Sequence, residues 1–546
     1  MPPVRGGGAG VGRPAAMTRY AAWLLTGIAI APATSQAQSP ASGATQTPRV
    51  VSSVQIQREN VFDQSELTSW YTKAMNALHI VTRERVIARE LLVREGEPYD
   101  SAMAAESARN LRNLGIFREV HVDSVRTDSG LAVQVTTHDS WTTQPYASFK
   151  TVGTEVTWGL GLTEKNLFGL QIHASVKYTS DPDRNTTELT TKLPRLFKDR
   201  LGIAASWELM SDGERARVVF DAPFQSLSGK QQFRTDVRYA DESTLRFFNG
   251  EEEASDTLRH EMGKMTLTFG RAPVASPIGY LRIGTTFQAR REDYTQLGVD
   301  PENASHYAEI ELNVETSRPE YAVIRGYGNL VSPEDVDLST TLRAGLWLAP
   351  AGLGYESDGF GGVINAQTGV TTSGGFITGV LRASGLFNRG GLDSGSVTAD
   401  VVIAMLKSER HSIIFGLNGG MQKNGYPGEE FDLGSTFGPR AFPLHSFTGD
   451  RMFYASGEYR TVVKPDIAGL IALGVAAFAD YGGAWYTDTP VRTGADVGVG
   501  LRIGSMRASS GGKITRLDLA RRFKNDVLPA SWVFVIGSGF TFDRPG

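Results

Sequence analysis

The sequence predicts an α+β domain of β-α-α-β-β order followed by a transmembrane antiparallel β-barrel. Three observations predict it: an export signal at the N-terminus, no later apolar run long enough for a membrane-spanning helix, and period-two alternation of apolar and polar residues over about 400 residues. Composition agrees, because 61 glycines and 9% aromatics in 546 residues suit many short strands better than a helical bundle. The net charge of −4 gives no pointer to nucleic acid. With no cysteine, disulfides, thiolate catalysis and cysteine metal sites drop out.

The basic residues Arg5, Arg13 and Arg19 precede the apolar run 21–33, and Ser35-Gln36-Ala37 offers small residues around a cleavage point. Residues 1–37 therefore read as a secretory signal peptide. Their apolar run is shorter than the ~20 residues a spanning helix needs, and Met17 is an alternative start that would give a more ordinary signal length. Residues 38–48, rich in Ser, Ala, Thr and Gln, form a flexible linker.

Residues 49–142 make up the mixed domain. A strand at 50–56 is followed by helical patterns at 82–93 and 101–114, then by strand-like runs at 117–125 and 130–137. Val86, Ile87 and Leu91 form one stripe of the first helix, with Arg83, Glu84, Arg89 and Glu90 mostly off it. Gly96 and Pro98 mark a turn, and Asp100 and Ser101 supply the cap of the second helix. Trp70, Tyr71, Ala74 and Leu78 suggest an extra amphipathic helix inserted at 62–80.

Residues 143–546 carry the strands. Leu170, Ile172, Ala174, Val176 and Tyr178 alternate with Gln171, His173, Ser175, Lys177 and Thr179, and similar runs surround Leu267 and Ile283. Such strands suit a soluble sandwich as well as a barrel; the export signal and the chain terminus favour the barrel. Polar stretches at 251–259, 293–306, 331–337 and 425–432 are expected as extracellular loops, and the acidic residues Glu251–Glu253, Glu334 and Asp335 as solvated. Chemistry-bearing patterns are scarce. Eight histidines are scattered without a zinc motif, no Gly-x-Ser-x-Gly elbow is present, and no catalytic residue, metal ligand or cofactor is assigned.

Several motifs resemble one family. The stretch Phe437-Gly-Pro-Arg440-Ala-Phe442, running on to Gly449, resembles the Arg-Gly-Phe/Tyr signature loop of the BamA/TamA-type outer-membrane assembly barrels, with Gly438, Phe442 and Gly449 around the arginine and Ala441 where the family usually has glycine. Glu164-Lys-Asn166-Leu-Phe-Gly169 resembles the turn after an early barrel strand, with Gln171 in place of a second glycine. The alternating run Val535 to Phe542 resembles the C-terminal β-signal, carried by Gly537, Phe540 and Phe542. Residues 49–142 resemble a single POTRA domain, whose core would be Leu111, Leu114, Phe117 and Val120 with Gly115 ending the second helix. Two further segments, Ala455 to Arg460 and Phe478 to Trp485, resemble the strands that receive the arginine.

This resemblance implies a bacterial-surface-antigen-type barrel of about sixteen strands in the outer membrane, with its POTRA domain in the periplasm. It also implies that Arg440 folds into the lumen to meet Glu458 and Asp480 and to stack on Phe478; the plain alternative is three unrelated lumen charges. The implied partners are unfolded outer-membrane or secreted client proteins, outer-membrane lipids and accessory periplasmic proteins, with no nucleic acid. The implied function is insertion, assembly or translocation of proteins, and the alternative is a passive channel or surface antigen that keeps only the architecture.

Overall fold

A computed structural model describes residues 50–542 except 128–129, 153–154, 195–200, 225–228, 249, 252–253, 297–304 and 507–513. The expected signal peptide and linker, and most of the loop expected at 293–306, lie outside the described residues.

The N-terminal domain runs β1 (Val51–Glu59), α1 (Trp70–Leu78), α2 (Glu84–Glu90), α3 (Ser101–Asn113), β2 (Phe117–Thr127) and β3 (Gly130–Asp139). Its sheet has the order β1-β3-β2, with β1 parallel and β2 antiparallel to β3. The inserted helix is α1, capped by the Ser69 hydroxyl accepting from the Thr72 N–H. Asp100 caps α3 by accepting from the Ala102 N–H at 2.7 Å. Gly115, at φ 67°, turns the chain out of α3 in the left-handed conformation. Leu111, Phe117 and Val120 are buried with Ile87 and Val133, and Leu114 packs against them. α2 is shorter than expected, because Thr82 donates its N–H and hydroxyl to Asp139 at 2.8 Å and the Leu92 N–H is taken by Ser107.

Among the described residues from Thr143 onward the chain forms a closed antiparallel barrel of twenty strands, from Thr143–Val152 to Ser531–Ser538, not sixteen. The discrepancy lies in the connections. Several are only two residues long, as at 211–212, 277–278, 373–374, 389–390 and 409–410, so the strands follow one another closely.

Along Arg451–Ile467, Tyr454, Ser456, Glu458 and Arg460 are buried while Phe453, Tyr459 and Val463 are exposed. Charged residues point inward and apolar ones outward, the inverse of a soluble sandwich and the pattern of a transmembrane barrel. Among the described residues no helix is long and apolar enough to cross a membrane.

Three elements fill the interior. The first is the long connection 424–450, which contains its own two-stranded ladder, Phe431–Leu433 with Phe447–Gly449. The second is the hairpin Tyr321–Ile324 with Glu334–Asp337. It corrects the expectation of an extracellular loop at 331–337, since Asp335 meets Arg112 of α3 at 2.8 Å and so lies at the N-terminal-domain end. Nor is the acidic pair there merely solvated, because Glu334 accepts the N–H groups of Gly328 and Asn329 at 2.7 and 3.1 Å. The third is the C-terminal tail. The last strand ends at Ser538, Gly539 takes φ 65°, and Phe540 and Phe542 turn inward instead of completing an alternating strand. Phe542 is buried with Phe437, Phe442, Phe447 and Tyr454.

Candidate functional site

Four neighbouring strands, Arg451–Ile467, Ile471–Trp485, Gly494–Ser505 and Thr515–Arg522, present one inward row after another. Their registers align Ser456, Asp480, Asp496 and Arg522 in one row, and Glu458, Phe478, Gly498 and Ala520 in the next. Arg460, Ala476, Gly500 and Asp518 form the third row. Glycine is required in this wall: a Cβ at Gly498 would sit 2.3 Å from the Phe478 ring, and one at Gly500 2.0 Å from Asp518.

The connection 424–450 delivers Arg440 onto these rows. Arg440 is 2% exposed, and its Nε donates to Asp480 Oδ2 at 2.6 Å while Nη2 donates to Oδ1 at 3.2 Å, the forked geometry that suits guanidinium and carboxylate. Its Nη1 donates to Glu458 and to Asp518, both at 3.2 Å. The guanidinium carbon lies 3.7 Å from the centroid of the Phe478 ring. The four residues singled out in the sequence therefore meet at one point.

Sequence reasoning did not assign the rest of the network. Arg502 forks onto Glu458 at 2.7 and 2.9 Å and reaches Asp518 at 2.5 Å. Arg460 donates to Glu458 at 2.5 Å and to the Tyr327 carbonyl at 2.7 Å, linking this wall to the hairpin from the other end. Arg516 donates to Asp518 at 3.0 Å. Ala441, in the place of the family glycine, is fully buried; its N–H donates to Asp496 at 3.0 Å and its carbonyl accepts from Arg522 at 3.2 Å. A readable signal existed in Arg516-Leu-Asp518-Leu-Ala520-Arg-Arg522, where charge recurs at period two.

The other loop residues serve the same packing. Gly438 takes φ 127°, Phe442 is buried against Phe447 with ring centroids 5.2 Å apart, and a Cβ on Gly449 would lie 2.1 Å from the Trp485 backbone.

The early-strand residues lie elsewhere, against the N-terminal domain. Glu164 accepts from the Asn166 N–H at 2.6 Å, and Asn166 donates to Thr82 at 2.8 Å. Gly169, at φ 67°, lets Arg83 donate its N–H to the Gly169 carbonyl at 3.0 Å. Gln171 takes φ 61° itself, with its N–H held by Asn166 at 2.8 Å. Among the described residues no group of carboxylates and histidines is arranged to hold a metal ion.

Comparison with known proteins adds a partial likeness. No protein-family profile matches the chain. Over 199 residues it is 25% identical to the outer membrane protein assembly factor BamA of Neorickettsia risticii, a match covering 34% of this chain and 26% of that one. The match thus spans about a quarter of that relative's length. Among solved structures, BamA from Haemophilus ducreyi lacking POTRA domains 1–3 superposes with a TM-score of 0.40 at 12% identity, covering 91% of this chain and 85% of that one. CdiB from Escherichia coli superposes with a TM-score of 0.46 at 11% identity, covering 92% and 93%. CdiB from Acinetobacter baumannii gives 0.44 at 12%, covering 89% and 73%. The sequence match, and not these superpositions, is therefore what likens part of the chain to an outer-membrane protein assembly factor.

Proposed function

We propose that the protein works at the bacterial outer membrane in the insertion, assembly or translocation of other proteins, with its N-terminal mixed domain acting as a single POTRA in the periplasm. The observation that carries this reading is the Arg440 loop, held by a buried charge network on the wall next to the barrel seam. The seam is built to yield. The last two strands, Thr515–Arg522 and Ser531–Ser538, are eight residues each and the shortest of the twenty, below the ~9–11 residues that a tilted strand needs to cross the hydrocarbon layer. A seam that opens offers unpaired backbone groups to which a client strand can add, and Arg440 pins the loop that keeps the neighbouring wall in register meanwhile. The clients are unfolded outer-membrane or secreted proteins.

A passive channel is the second reading. The apolar cluster of Phe376, Leu433, Phe442, Phe447 and Phe542 occupies the interior that an open pore would need, which speaks against it. The test is the rate at which a urea-denatured barrel protein folds into liposomes with and without this protein. Acceleration that is lost in Arg440→Ala supports the proposal; steady conductance with no acceleration for several clients sinks it.

A further inference from the structure

The inserted helix α1 is not accounted for by any of this. Its inner face belongs to the domain: Thr72 is 4% exposed, and Asn76 exchanges hydrogen bonds with the Phe62 backbone at 2.7 and 3.0 Å. Its outer face is apolar and open. Trp70 is 82% exposed, Leu78 77% and Ile80, just past the helix, 53%, with Lys73 exposed between them. Single exposed apolar residues are ordinary, but three large ones within eleven positions form a face that water disfavours.

The attachments of this segment say what covers that face. At one end the Tyr71 hydroxyl donates to the Ala468 carbonyl at 3.3 Å, in the turn after the strand Arg451–Ile467. At the other, Arg83 donates through Nε to the Phe168 carbonyl at 3.1 Å, in the turn between Glu155–Leu167 and Ile172–Ser180. Both turns terminate strands whose outward side chains, such as Val463 and Leu162, are exposed and apolar, and Phe168 itself is 55% exposed. The segment from Tyr71 to Arg83 therefore runs where the lipid-facing wall ends. In the sheet order the two turns stand on opposite sides of the seam between the last and first strands. Tryptophan with flanking lysine is the side-chain chemistry of the membrane–water interface.

We propose that the outer face of α1, with Trp70, Leu78 and Ile80, is a membrane-interface foot seated among the lipid headgroups at the N-terminal-domain end of the barrel, straddling the seam. Lys73 pairs there with anionic headgroups. This rests on the chain being a membrane barrel and not on any client activity.

Because the chain holds no cysteine, a nitroxide can be attached to Leu78→Cys alone, with Trp70→Cys as a second site and the exposed Glu97→Cys as the control. The labelled proteins are folded into liposomes of phosphatidylethanolamine and phosphatidylglycerol, and heat-modifiable electrophoretic mobility confirms the barrel. Power-saturation spectra are recorded with oxygen and with a water-soluble nickel chelate. Labels at 78 and 70 are expected to shift toward oxygen and away from nickel, while 97 stays nickel-accessible. Equal accessibility at all three positions overturns the proposal, as does nickel protection that arises only after an unfolded client is added, which would assign the face to a protein. Client-folding assays on the same samples separate this result from failure of the insertion function, since a foot without insertase activity still reads as lipid-protected.

Discussion

Two walls of the barrel interior carry the same residue types and use them differently. On the wall from Arg451 to Arg522 and the loop seated on it, the side chains of Arg440, Arg460, Arg502 and Arg516 are between 0 and 6% exposed. On the wall from Gly213 to Gln296, Arg215 reaches Glu242 at 2.5 Å and Arg217 reaches Asp236 at 2.6 Å, yet those arginine side chains are 47 and 40% exposed. Ion-pair length does not separate the two. Coverage does, because an inserted loop and tail seal the first network from water, while in the second the carboxylates of Glu242 and Asp236 are buried but their arginine partners reach solvent. Burying so many charges is costly unless each finds its partners, so the sealed network holds the loop in one arrangement, whereas the open one is screened and replaceable.

The largest effect should follow from breaking the sealed network at its centre. Arg440→Ala leaves Asp480, Glu458 and Asp518 without a shared partner, and breaking a buried pair in this way costs about 3–5 kcal/mol. A lower urea midpoint for loss of the heat-modifiable barrel is expected, with far-ultraviolet helicity of the N-terminal domain unchanged. Arg440→Lys keeps the charge and loses the fork onto Asp480, so its midpoint should fall between wild type and alanine; a lysine variant as damaged as alanine would count against the forked contact.

Next in size is the tail beneath the loop. Phe542 lies against Gly416, where an added Cβ would sit 2.3 Å from its ring, and the neighbouring Thr541 hydroxyl is 2.7 Å from that of Tyr454. Phe542→Ala empties a core position and should cost about 3 kcal/mol by the usual range for buried phenylalanine. If instead the tail served as an outward terminal strand, alanine would slow assembly without moving the urea midpoint.

How these two sites stood in the sequence differs for a physical reason. Arg440, Phe478, Asp480 and Glu458 were legible because they sit in local motifs. Arg502, Asp518 and Asp496 were not, since period-two alternation tells which face a side chain takes but not which row it joins, and the row is set by register across four strands. The inward turn of Phe540 and Phe542 hid for a related reason: an aromatic alternation reads as strand until a left-handed Gly539 redirects it. The count of sixteen follows from the resemblance and not from the residues, and connections of only two residues leave room for twenty strands. The mixed domain was legible almost throughout, because its capping residues and its turn at Gly115 act locally.

Between the two walls stands His445 of the inserted loop. It stacks on Phe247 with centroids 3.4 Å apart and hydrogen-bonds to Asp432 at 2.5 Å and Asp183 at 2.9 Å. Burial alone would lower its pKa, but the two carboxylates outweigh burial and push it up to about 9. A folded value above the unfolded one of about 6.5 means that the stabilisation is complete below pH ~6.5 and is lost as pH rises through 9. The barrel's unfolding free energy, followed by its urea midpoint, should therefore fall between pH 7 and 10 by an amount on the order of 1–2 kcal/mol after screening, and His445→Gln should flatten that slope. An unchanged slope in the variant would remove the loop's second anchor.

The smallest effect is expected on the open wall, and it is the one that makes the comparison sharp. Arg217→Ala removes a pair whose arginine is 40% exposed, so water and salt can replace it and the loss should be about 0–1 kcal/mol, shrinking further at high ionic strength. Double-mutant cycles for Arg217 with Asp236 and for Arg440 with Asp480 then measure two contacts of the same length, 2.6 Å, in the two settings. A coupling for the sealed pair several times that of the open pair would show that enclosure by the loop, and not ion-pair geometry, gives the arginine its hold. Equal couplings would mean that water reaches both walls, and that the loop is held by its apolar residues Phe442 and Phe447 instead.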